Sequence, residues 1–138
     1  MAFGTIVDSE AFDFSNIQAN RDQSIVVAAV VPIQDVQEAS LVVRVEDLVI
    51  SSATSIEINV YGTWPNDKEN VRYRTPGAVA QIVMDNATGP QSILLASFDW
   101  GTGQPPALCV EVRGVQHVTT AAALWAKVSV GLQMNSSR

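Results

Sequence analysis

The sequence predicts an all-β domain: one antiparallel sandwich of about eight strands, of jelly-roll or Greek-key type. Three observations predict it. In the last long apolar segment, Leu124, Ala126, Val128, Val130, Leu132 and Met134 share one parity, and Trp125, Lys127, Ser129, Gly131 and Gln133 share the other. Strand side chains point alternately to opposite faces, so this pattern gives a dry face and a wetter one. Several other segments repeat the pattern, with no amphipathic helix between them. All six prolines fall in connections or at strand ends, so turn chemistry and periodicity agree.

The elements follow in order. Thr5 to Val7 and Ala11 to Phe14 are short and mixed, and residues 1–23 read as an N-terminal arm or edge strand. The sandwich itself is expected over residues 24–134. Ser24 to Val31 is apolar on both parities, which suits a strand covered on both faces, and Pro32 stops it because proline cannot donate to a ladder. Ile33 to Ser40 reads as a connection with a helical turn around Asp35 to Glu38. Leu41 to Ile50 sets Leu41, Val43 and Val45 inward against Val42, Arg44 and Glu46, and Asp47 breaks the order.

Ser55 to Trp64 alternates Ile56, Ile58 and Val60 against Glu57, Asn59 and Tyr61. A polar loop then runs from Trp64 to Thr75, and Pro76-Gly77 signals a turn. Ala78 to Met84 and Ser92 to Phe98 read as two short strands of a hairpin, joined by a loop containing Asn86, Gly89 and Pro90. After a Gly/Pro loop at Gly101 to Pro106, Ala107 to Arg113 alternates again and Gly114 marks a turn or bulge. Thr119 to Trp125 leads into the final strand, and residues 135–138 read as a frayed tail.

Composition narrows the function classes. At 138 residues the chain can bury one core without staples. A hydrophobic fraction of 47% with 16% charged residues fits a globular domain rather than a disordered chain. A net charge of −6 with 8 basic residues supplies no cationic face, which argues against nucleic acid and against anionic membranes as partners. The one cysteine, Cys109, rules out an internal disulfide and favours folding inside a cell. The first residues carry Asp8, Glu10 and Asp13 and lack the pattern of a secretory signal, and Ser24 to Ile33, the most apolar run, is about half the roughly 20 residues a membrane span needs. The expected setting is therefore cytoplasmic, unless the chain belongs to a virion.

Catalytic vocabulary is sparse. His117, the single histidine, and Cys109 could form a thiol nucleophile pair, but Cys109 falls in a strand, where cysteine behaves as a small apolar residue. One Cys and one His cannot build a zinc site, and the loop oxygen donors Asn66, Asp67, Glu69, Asp85 and Asn86 show no calcium-loop spacing. Glu57 and Glu111 lie at polar strand positions, and nothing in the sequence sets them opposite each other as a hydrolase pair. No enzyme, metal or cofactor is expected. The sequons at Asn86 and Asn135 mean little without a secretion signal.

Aromatic residues offer a binding alternative. Trp64, Tyr73 and Trp100 fall in or beside loops, where an aromatic plane can stack on a sugar, and Asn66, Asp67, Asp99 and Gln104 could bind its hydroxyls. That set describes a carbohydrate-binding module or lectin-like sandwich with glycan partners. The same rings, with Trp125, also suit capping of the sandwich ends or anchoring of a protein interface.

The stretch Leu41 to Trp64, the loop to Thr75 and the closing strand Leu124 to Met134 together resemble small β-sandwich proteins of virions, such as bacteriophage head-decoration and accessory capsid proteins. The resemblance is one of pattern over most of the chain, and no specific motif carries it. It implies a jelly roll or related sandwich, a homo-oligomer and attachment to a capsid lattice. On that expectation the protein is a non-catalytic structural component, and Ala2 to Asn20 is the segment expected to reach a neighbouring subunit.

Overall fold

A computed structural model describes residues 2–15, 22–32, 36–50, 54–63, 77–99, 107–116 and 123–136. Its strands are β1 (Ala2–Asp13), β2 (Asp22–Pro32), β3 (Val36–Ile50), β4 (Thr54–Thr63), β5 (Ala80–Met84), β6 (Ile93–Asp99), β7 (Ala107–Gln116) and β8 (Leu124–Ser136). They form two four-stranded antiparallel sheets, ordered β1-β8-β3-β6 and β2-β7-β4-β5. First pairs with last, second with seventh, third with sixth and fourth with fifth. The chain is thus one long nested hairpin, closed by the added β3–β8 and β4–β7 ladders. That order is the jelly roll.

Parity explains the core. Leu41, Val43 and Val45 of β3 and Leu124 through Leu132 at even positions of β8 face Ile56, Ile58 and Val60 of β4 and Leu108, Val110 and Val112 of β7, all buried in one cluster. β5 adds Ala80, Ile82 and Met84. Each of these strands therefore turns one row inward, as close packing of two sheets requires. The side chains of β2, expected to be covered on both faces, lie outside the described residues.

Several expectations are corrected. β5 and β6 do not form a hairpin. β5 pairs with β4 in one sheet and β6 with β3 in the other, so the connection between them crosses the sandwich. Asp85 starts that crossing by accepting the Ala87 amide at 2.9 Å. Val36 to Ser40 is strand rather than connection or helical turn, because β8 continues to Ser136 and offers a ladder as far as Val36. Asn135 and Ser136 belong to that ladder. The break at Asp47 is a bulge inside one strand: the register shifts between Val45 and Asp47, and the Asp47 carboxylate accepts the next amide, that of Leu48, at 2.9 Å.

Gly114 is neither turn nor bulge. It lies within β7, opposite Gln23 and Ile56. A Cβ there would overlap the side chain of Phe14, which is buried at the end of the core. Phe14 is steered in by two local contacts. The Asp13 carboxylate accepts the Ser15 amide at 2.9 Å, and the Ser15 hydroxyl accepts the Leu124 amide at 3.1 Å. Ala2 to Asp13 runs along β8 of its own chain as the edge of the first sheet.

Candidate functional site

Two surface features are built by the sheets. The first lies on the outer face of the β1-β8-β3-β6 sheet. The register aligns Thr5 (β1), Gly131 (β8), Val42 (β3) and Leu95 (β6) in one row, and Ser129, Arg44 and Ile93 in the next. Gly131 has no side chain, so the rows sink at β8. Thr5, Gly131, Val42, Ser129, Arg44 and Ile93 line a trough of about 380 Å³ there. Its β6 side is apolar and open: Ile93 is 65% and Leu95 66% exposed. Beyond Leu95 the row changes to hydroxyls, with Ser40 and Ser97 hydrogen-bonded at 2.9 Å.

The β1 side of this face is polar and held in place. Ser9 sits in the left-handed region, with φ 51°, where the β1 register is irregular. That turn of the backbone aims its hydroxyl at Glu46 Oε1, 2.9 Å away, and its amide at Ser129 Oγ, 3.0 Å away. Ser129 also donates to Glu46 Oε2 at 3.3 Å. The Ser9 hydrogen bond holds the Glu46 carboxyl below its ordinary value, helped by Ser129, Lys127 and Arg44 and opposed by desolvation.

The second feature is on the outer face of the other sheet. Across β5, β4 and β7, Gln81 donates to Asn59 Oδ1 at 2.8 Å, and Asn59 Nδ2 lies 3.4 Å from Glu57 and 3.3 Å from Glu111. Arg113 pairs with Glu57 at 3.1 Å. The two glutamates, which nothing in the sequence brought together, thus share one amide: β4 and β7 set Asn59 opposite Glu111 and Glu57 opposite Arg113. Glu111 is only 3% exposed and Asn59 is buried beside it. Buried polar groups need partners, and here each donor points at an acceptor on an adjacent strand. The arrangement ties three strands together. Among the described residues, no three His, Cys, Asp or Glu side chains converge to hold a metal.

Compared with protein-family models, curated proteins and solved structures, the chain matches none. The site residues rest on geometry alone.

Of the residues expected to bind sugar, Asp99 is described: it is exposed at the end of β6, opposite Glu38. Trp64, Asn66, Asp67, Tyr73, Trp100 and Gln104 lie outside the described residues, as does His117. Cys109 is fully buried opposite Tyr61. No helix among the described residues is long and apolar enough to cross a membrane, which says nothing of strands.

The sequence reading passed over Ile93 and Leu95. A signal was present: in Ile93-Leu94-Leu95-Ala96 both parities are apolar, so one face had to carry apolar side chains away from the core. In the structure Leu94 and Ala96 pack against the core, and Ile93 and Leu95 are the pair left outside.

Proposed function

We propose that this protein is a non-catalytic structural component that works by associating with itself and with a protein lattice, as an accessory or decoration protein of a phage particle does. The observation that carries this reading is the apolar strip of Ile93, Leu95 and half-buried Val42 on the outer face of a sheet. Large apolar side chains left in water on neighbouring positions mark a surface that a partner covers. The jelly-roll order supports the reading, since capsid proteins are among the proteins built this way, although lectins share the architecture.

The test is mass in solution followed by binding to shells. Sedimentation velocity on the purified chain should give a defined oligomer, and the protein should co-sediment with phage heads that lack a decoration protein. A monomer at every concentration that also ignores such heads would refute the proposal. Binding to a glycan array by that monomer would favour a carbohydrate-binding module.

A further inference from the structure

The four sheet edges are protected very unequally. An unpaired edge strand is a template for another chain, and proteins blunt such edges with charges, prolines, bulges or short length. β1 has two register irregularities, carries Asp8, Glu10 and Asp13, and turns through the left-handed Ser9. β2 has two irregularities and ends on Pro32. β5 is only five residues long. β6 has none of these devices. Its seven residues pair with β3 in unbroken register from Arg44↔Ile93 to Glu38↔Asp99, and Asp99 at its end is its one charge. Among the described residues it also carries the two most exposed large apolar side chains, Ile93 and Leu95.

We infer that β6 is a homotypic docking edge: β6 of a second copy pairs antiparallel with it about a two-fold axis, joining two four-stranded sheets into one of eight. This deepens, and rests on, the association reading above. The occupant is a second copy for two reasons. A two-fold axis places the same patch on both sides, so a strand whose apolar pair can face itself is self-complementary. With Ile93 of one copy opposite Leu95 of the other, each Ile–Leu pair abuts Val42 on one side and the Arg44 stem on the other, because β3 sets those residues beside Leu95 and Ile93. Charge points the same way. Copies of a chain with net charge −6 repel. From Ile93 to Phe98 β6 carries no charge, and in this register the two Asp99 carboxylates lie at opposite ends.

The experiment compares the native chain, Leu95→Lys, Ile93→Lys and the control Val83→Lys by sedimentation equilibrium, with hydrogen exchange on the native chain at low and high concentration. Val83 is exposed on the other sheet's outer face. All three replaced side chains are exposed, so circular dichroism should be unchanged. The native chain and Val83→Lys should dimerise with one affinity. Leu95→Lys and Ile93→Lys should each weaken dimerisation by about 100-fold or more, since each substitution occurs twice across the axis. The amides of Ile93 and Leu95 should gain protection as dimer forms, which face-to-face stacking would not give. A native oligomer that both lysine variants leave intact, or whose β6 amides stay unprotected, overturns the β6 edge and leaves association standing. A native chain that stays monomeric overturns the β6 edge and the self-association on which it rests.

Discussion

The Phe14 ring fills the space that a side chain at Gly114 would occupy. The two residues are a hundred positions apart and meet at one end of the sandwich. β1 is an edge strand of one sheet and β7 a central strand of the other, so this contact fastens the two sheets together.

Gly114→Ala should therefore destabilise the fold, although alanine suits a strand better than glycine. Overpacking a filled core costs about 1–3 kcal/mol. Phe14→Ala should cost about 3–5 kcal/mol through the cavity it leaves. The double variant should cost less than the sum, because the new methyl then enters vacated space. Urea unfolding of the four proteins measures all three effects. Strict additivity would mean that the two side chains do not compete for one volume.

The polar network on the second sheet gives another expectation. Asn59→Ala removes the amide that Glu111 and Glu57 share and the acceptor that Gln81 uses. Losing one partner from a buried polar group costs about 1–3 kcal/mol. The expected result is a loss of unfolding free energy of that size, read as a lower urea midpoint, with the far-ultraviolet spectrum unchanged. An unaltered midpoint would show that the network contributes nothing to the fold.

Acid should reach Glu46 late. Its folded pKa lies below the ordinary 4.5, chiefly through the Ser9 hydroxyl. A carboxyl lowered in this way adds stability above its unfolded pKa and loses that contribution as pH falls through the folded value. The loss thus falls below pH 4.5, not near neutrality. Ser9→Gly keeps the left-handed backbone at ease and removes the hydroxyl. Carboxyl-selective NMR titration should then find Glu46 shifted upward, towards its ordinary value. No shift would assign the lowering to Lys127, Arg44 and Ser129 instead.

Strand identity was largely legible because it is local. The parity of β3, β4, β7 and β8 is written in neighbouring residues, and the buried rows follow it. The bulge at Asp47 was visible as a break in the alternation of Leu41 to Ile50, a run that the structure keeps within one strand. The shared amide of Glu57 and Glu111 could not be read, because it depends on the β4–β7 register, which joins positions about fifty residues apart. The exposed pair on β6 was hidden by the doubly apolar run, whose inward parity depends on the sheet it joins.

Alternation between dry and wet faces, with turn residues between the runs, determined by itself that this chain makes strands, which rows of β3, β4, β7 and β8 turn inward, and that two layers close over one core. Side-chain parity and turn propensity act over a few residues, so no partner need be known. The tertiary structure alone decided which strand lies beside which. It sent β5 and β6 to different sheets, drew Val36 to Ser40 into the β8 ladder, placed Phe14 over Gly114 and set β6 at the end of its sheet among the described strands. Those outcomes follow from long-range ladders and shared core volume, which no short window of sequence contains.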